Sequence, residues 1–497
     1  MGYMTCRASI VTALGAFFAL ALLPSPVDAQ SQPWAKVPVI PVGPEDAIET
    51  LVREAPEDAT FVLAPGVYRQ VSVVPKDGQR FIGLTRDGAR AILNGAVVLD
   101  AWIADGTHWR AAAERRRYSM PGTCEPDFPL CLEREDLFLD GTMLRRVGSL
   151  DAVGPGTWAF IGRQVVIGED PGERLVELSV TETAVRPTGH AVTLENLVVE
   201  KYIPGAQAGA ISGVGTKDWR VFDVTARWNH GAGLDMGDRM LARGGAYNHN
   251  GQMGLRAEFG QAHVESVEIA HNNTAGYNWG WEAGGTKFLE MTRLTVRGTC
   301  VHDNYGPGLW TDANNVNVLY EDNLVFRNAG DGIKHEISYN AVIRNNVSAY
   351  NGFGMHRWLW GAQILVQNSS RTVVTGNTVD TLTEGGNGIS IIYQNREADG
   401  GRWVATENRI TDNRMILRGR ARAGMGADFD RVWFFRDADN VFDRNAYRVA
   451  EGRSRFWSHR GDFRSLDYVK RHGLEGESTV SAGDLPPEQA MTCPDDL

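Results

Sequence analysis

The chain has 497 residues, 43% hydrophobic and 22% charged, enough for one long solenoid or two to three ordinary domains, and neither disordered nor low-complexity. Its formal charge of −11 argues against nucleic acid as a bulk partner and leaves open an anionic polysaccharide at a locally basic groove.

Residues 1–29 read as a signal peptide. Arg7 supplies a basic start, residues 10–23 form the apolar stretch, and small residues before Gln30 place cleavage after Ala29. A secreted or periplasmic protein is expected. No other segment has the ~20 apolar residues of a membrane span. Residues 30–100 read as an N-terminal cap and first rungs. "PEDAIETLVREA" (44–55) predicts a short helix with Ile48, Leu51 and Val52 on one face, suited to closing a solenoid, and "ATFVLAPGVYR" (59–69) predicts a first rung. Residues 101–190 carry hairpin-like patterns and read as a β-rich insertion. Cys124 and Cys131 flank the loop "CEPDFPLC" there and predict a local disulfide. Cys300 sits in an apolar strand pattern and reads as buried packing, while Cys493 has no assigned partner.

From residue 191 to 450 the chain repeats. Asn229, Asn250, Asn272, Asn304 and Asn328 each precede a glycine by four residues, and the steps between them are 21, 22, 32 and 24 residues. The 32-residue step predicts an insertion of roughly ten residues after Glu282. Short β-branched runs such as "NLVFRN" and "RTVVTGNTVD" separated by Asn and Gly are strands with tight corners, not helices. A leucine-rich repeat would need a dense leucine ladder, which is missing. Stacked asparagines can bond the rungs above and below, which describes a parallel β-helix. Residues 451–497 read as a C-terminal tail.

Alternation outward from each glycine predicts two faces. Leu234, Leu255, Tyr277, Leu309, Ile333, Met355 and Ile389 form the expected interior column. Asp235, Arg256, Asn278, Trp310, Lys334, His356 and Ser390 are expected to face solvent, as are Glu258, Asp312, Glu336 and Trp358. Glu282 joins them if "NWGWE" holds a bulge. The column between them contains His335 and Arg357, whose burial would require partners. His271 and His302 fall at corners and read as structural; Lys287 and Arg344 receive no role.

The "GVYR" entry, the "LFLDG" segment and the rungs "GWEAGGTKF", "GPGLWTD" and "HEISY" resemble secreted right-handed parallel β-helix proteins of the pectin-lyase-like superfamily, over most of residues 40–450. The resemblance implies an all-β fold. It spans hydrolases, lyases, epimerases and non-catalytic adhesins, and so leaves activity to the site. The calcium and arginine pattern of pectate lyases and the paired-aspartate motif of polygalacturonases are not found.

Carboxylates one rung apart repel, so a stripe of Glu258, Glu282, Asp312 and Glu336 calls for a proton, a cation or catalysis. Trp281, Trp310 and Trp358 beside it offer faces for sugar rings, with Arg256, Lys334 and His356 as polar contacts. A glycoside hydrolase would use Asp312 as nucleophile and Glu336 as a protonated acid, with Glu282 as a third member and no cofactor. A polysaccharide lyase or uronate epimerase would use Lys334 or His356 as base and hold Ca²⁺ on Glu282, Asp312 and Glu336. A non-catalytic glycan-binding surface protein is the third reading. The hydrolase leads because carboxylates and tryptophans dominate the stripe. A monomer acting on a polysaccharide or oligosaccharide is expected.

Overall fold

The computed structural model describes residues 37–115, 122–353, 358–398 and 401–494. The expected signal peptide, Met355, His356 and Arg357 lie outside them.

From Pro38 onward the chain winds three parallel ladders around one apolar core. One ladder includes Ala232–Met236, Leu309–Asp312, Ile333–Glu336, Ala362–Gln367 and Asn387–Tyr393. A second includes Val316–Glu321, Tyr339–Arg344 and Val373–Thr375, and a third includes Cys300–His302, Leu324–Phe326 and Val347–Ala349. These ladders make a parallel β-helix. The helix Ile48–Glu54 buries Ile48 and Val52 against the first rungs, with Leu51 packed beside them.

The asparagines set the register. Asn229, Asn250, Asn272, Asn304, Asn328 and Asn351 form a chain in which each Nδ2 donates to the next Oδ1 at 2.8–3.1 Å. A second chain runs from Asn323 through Asn346, Asn377 and Asn413 to Asn445. The left-handed backbone at the first corner belongs to the residue before each asparagine, including His249, His271, Asp303 and Arg327. The amide ladder offsets that strain. Glycine follows four residues on because the next amide crosses there. A Cβ on Gly308 would lie 2.7 Å from Gly332 O and 2.8 Å from Asn328 Nδ2.

The interior column departs from the sequence expectation at two rungs. Leu234, Leu255, Leu309, Ile333, Ile364 and Ile389 stack, but Thr286 occupies the place expected for Tyr277, and Ile364 the place expected for Met355. The aligned glycine is Gly285, not Gly276, so the extra residues precede the strand Gly284–Arg297 rather than follow Glu282. Tyr277 is buried instead with Cys131, Ala206 and Ala283.

Strands from Ala96–Val98 to Val176–Ser179 build a separate eight-stranded sheet with its own core of Leu137, Leu144, Trp158, Val165 and Ile167. Cys124 and Cys131 form a disulfide. So do Cys300 and Cys493, which the sequence reading left apart. The ladders continue past residue 450 through Trp457–His459 and Thr479–Ala482.

Candidate functional site: a covered row of ion pairs

The strand register lines up one outward row from successive rungs. Asp235 pairs with Arg256, and Arg256 with Lys287. Lys287 lies over Trp310, which pairs with Lys334, and Lys334 with Leu365. Two positions on, Glu258 is beside Leu289 and Leu289 beside Asp312. Asp312 and Glu336 come from adjacent rungs, two residues beyond Trp310 and Lys334.

Glu282 reaches this row by another route. Residues 279–282 form a helical turn, capped by Asn278 Oδ1 accepting from Trp281 N at 3.0 Å, so no bulge places Glu282 in the ladder. Its carboxylate comes in from the covering loop, 3.6 Å from Arg256 Nε and 3.9 Å from Lys287 Nζ. Trp281, like Trp279, packs against the buried cluster of Cys131, Ala206, Tyr277 and Ala283, and its carbonyl accepts from Lys287 Nζ at 2.9 Å.

The expected stripe of repelling carboxylates is a row of paired charges. Asp235 Oδ2 holds Arg256 at 2.9 Å, and Arg256 also meets Glu258 at 2.9 Å. Lys287 sits 2.9 Å from Asp312 Oδ2. Lys334 sits 2.7 Å from Glu336 Oε2, and Arg396 2.8 Å from its Oε1. Burial opposes the Glu336 charge, but Lys334 and Arg396 outweigh it and hold the carboxyl at about 2. In the free protein Glu336 is therefore ionised, which corrects its expected standing as a protonated acid. Burial pushes Asp235 and Asp331 up to about 6, against Arg256 and Lys334 respectively. Asp331 Oδ1 accepts from Ala362 N at 2.7 Å.

Trp310 is not an open platform. It is 1% exposed, with Lys287 Nζ 3.8 Å and Lys334 Nζ 4.2 Å from its ring centroid. Its Nε1 donates to Glu336 Oε2 at 3.1 Å. Cation–π contacts of this desolvated kind contribute roughly 2 kcal/mol each, so the indole anchors the two lysines and has no face left for a sugar. The open aromatic surface lies further along the ladder. Half-buried Trp358 and Trp360, with ring centroids 6.4 Å apart, line a cavity of about 420 Å³ with Gln394, Asp428 and Arg431. Gln394 reaches back to Gln367, the rung after Glu336.

Calcium does not fit the carboxylates named for it. Glu282 and Asp312 already face Lys287, and Glu336 faces Lys334 and Arg396, so a divalent ion there would meet ammonium and guanidinium charge. His335 points into the core and is neutral. Burial lowers it to about 3, and Nδ1 lies 2.8 Å from Thr311 Oγ1.

Two oxygens in the row stand out. Asp312 Oδ1 and Glu282 Oε1 are buried and have no hydrogen-bond partner among the described residues. Lys287, Arg396 and Trp360 are the residues the sequence reading missed. Lys287 would have been found by aligning "GTKFL" with "GLWTD". Arg396 and Trp360 lie on inserted loops that no repeat alignment places.

Comparison with known proteins agrees with the architecture. Residues 209–370 match a family model described as a right handed beta helix region. The structure of XylC in complex with xylose is similar at a TM-score of 0.66 and 13% identity, over 91% of this chain and 87% of that one. A glycoside hydrolase (TM-score 0.49, 10% identity, 81% and 99% coverage) and the A-module of the Azotobacter vinelandii mannuronan C-5 epimerase AlgE4 (0.47, 13%, 87% and 93%) are also similar. No curated protein matches the sequence. The fold is a right-handed parallel β-helix.

Proposed function

We propose that this protein is a carbohydrate-active enzyme that hydrolyses glycosidic bonds, with its reaction centred on Asp312. The observation that carries this reading is the state of that carboxylate. Lys287 fixes Oδ2, while Oδ1 is buried and unpartnered. An oriented, desolvated carboxylate oxygen with no hydrogen bond to give up is suited to attack an anomeric carbon. The shared fold with XylC, whose structure holds xylose, agrees with a sugar substrate.

Glu336 is the second carboxylate, one rung away. Its partner Arg396 follows the strand Asn387–Tyr393, and Trp403 Nε1 donates to Asn314 Oδ1, two residues from Asp312. Substrate entry that displaces Arg396 raises the proton affinity of Glu336. Glu336 then takes a proton from solvent and passes it to the leaving oxygen, while Lys334, 2.7 Å away and kept charged by Glu336 and Asp331 against burial, orients the carboxyl. Glu282 flanks Asp312 across Lys287 and holds that lysine in place. Trp358 and Trp360 are the stacking surface for a neighbouring sugar ring.

A second reading rests on a different observation. Arg256, Lys287, Lys334 and Arg396 put four cations where the sequence suggested few. Such a row could neutralise a uronate and supply a lysine base for β-elimination. Incubation with a panel of neutral and acidic polysaccharides separates the two. New reducing ends without ultraviolet absorbance indicate hydrolysis; an absorbing unsaturated product indicates a lyase and overturns the hydrolase. Asp312→Asn should lower kcat by several orders of magnitude with the fold intact. Near-normal turnover would remove Asp312 from the mechanism.

A further inference from the structure

At the C-terminal rungs the chain gathers cations with no use in the row described above. Arg420, Arg422, Arg453, Arg455 and Arg464 line one cleft of about 550 Å³ together with Asp462. Asp462 pairs with Arg464. Among the described residues the other four arginines have no carboxylate within ion-pairing distance. A second cavity of about 510 Å³ shares Gly419, Arg420 and Arg422 and continues the cleft past Glu384 to Asn387. Four uncompensated guanidinium groups in one hollow are unexpected in a chain of net charge −11, where most other arginines found a partner.

The cleft is built rather than a loose surface crowd. Arg453 Nη1 donates to Leu417 O at 2.8 Å, and its Nη2 donates to Ala421 O. Arg422 lies over Phe463, its guanidinium carbon 3.7 Å from the ring centroid, with Nη1 donating to Trp358 O at 3.3 Å. Arg464 Nε is buried with no hydrogen-bond partner, and its guanidinium lies over Tyr468. Stacking and carbonyl bonds fix these planes before any ligand arrives, which limits the entropy lost on binding. The mutual repulsion is visible in their protonation. Burial first, and then Arg422, brings Arg453 down to about 10, and burial together with Arg420 lowers Arg422. A negative group in the cleft would relieve both effects.

We infer that this cleft is an oxyanion-binding site, taking a sulfate, phosphate or carboxylate group between Arg420, Arg422, Arg453 and Arg455. Guanidinium pairs match such groups bidentately. The strand that follows Arg422 lies three ladder steps beyond that of Glu336, and Arg422 bonds the backbone of Trp358, which lines the aromatic cavity. The oxyanion is either a free inorganic ion or the acidic substituent of a saccharide, and both present the same chemistry to the arginines.

Calorimetric titration at low ionic strength tests the site without any catalytic readout, so its failure is separate from failure of the hydrolase reading. The probes are inorganic sulfate and glucuronate, with the double variant Arg420→Gln/Arg455→Gln as comparison. Both positions are exposed and, among the described residues, neither side chain makes a hydrogen bond or ion pair, so the variant should keep the thermal transition of the parent. Saturable binding of one sulfate, weakened at least tenfold in the variant, is the expected result. Glucuronate binding with the same sensitivity assigns the anion to a sugar; sulfate binding without glucuronate binding assigns it to a tetrahedral ion or ester. No saturable binding of either probe, or equal affinity in the variant, overturns the inference.

Discussion

His335 faces the interior of the Glu336 strand and is held neutral there, near 3, by burial. An unfolded histidine titrates near 6.5, so between pH 6.5 and 3 the unfolded chain binds a proton that the folded one refuses, and stability falls as pH falls. The effect is on the order of a few kcal/mol. A His335→Asn variant should lose that part of the acid sensitivity, measured as midpoint denaturant concentration against pH. An unchanged slope below pH 6.5 would remove the assignment. Glu336 also loses stability on acidification, but its shift comes from charged partners that outweigh burial. Its depressed pKa contributes stability above the ordinary carboxyl range of about 4.5 and loses it as pH falls through about 2. If Arg396 tunes it, Arg396→Ala raises that pKa, keeps the acid protonated to higher pH and shifts the alkaline limb of kcat/KM upward. An alkaline limb that stays in place would sever Arg396 from catalysis. Trp358→Ala should weaken binding of the true substrate by about 1–3 kcal/mol, read from inhibition by a non-hydrolysed sugar; unchanged binding would exclude stacking.

Among the elements, the ladders were legible and the loops over them were not. Asparagine and glycine four residues apart encode the place where an amide passes against a backbone, so the corner repeat is written in local sequence. The segment Asn273–Ala283 hides a false match. Gly276 also follows Asn272 by four residues, and that coincidence displaced Lys287 from the row and put Tyr277 in the core. Which faces are covered depends on contacts between distant loops, as with Arg396 on Glu336, sixty residues away. No periodicity reports such contacts. The same reasoning explains why Trp310 read as open. Alternation places its side chain outside the core, but the two lysines that cover it come from neighbouring rungs. The ladder itself is testable. Asn304 accepts from Asn272 N and Nδ2 and donates to Asn328 Oδ1 and Ile269 O. Asn304→Ala leaves buried groups unpaired on both neighbouring rungs and should cost about 1–3 kcal/mol or more, seen as a lower unfolding temperature. An Asn304→Ala protein as stable as the parent would mean that the amides are passengers.

Over the whole molecule, the Cys300–Cys493 bridge spans 193 residues and ties the last segment to the third ladder. Closing so long a loop restricts the unfolded chain and stabilises by about 2–5 kcal/mol, more than the seven-residue span of Cys124–Cys131. Cys493→Ser should lower the unfolding temperature more than Cys131→Ser does. The reverse order would place the restraint elsewhere.

The asparagine chain also separates two things that are usually linked in a protein, spacing in sequence and spacing in space. Successive members are 21, 22, 32, 24 and 23 residues apart, yet their amides meet at 3.0, 3.1, 2.8, 2.8 and 2.9 Å. The longest step carries the helical turn that delivers Glu282 and leaves its neighbours in register. Such a clamp acts as a rail on which loops of different length can be mounted without re-threading the rungs beneath. Chemistry can thus be exchanged by replacing an overhang, while the scaffold that holds Asp312 and Glu336 one step apart stays fixed.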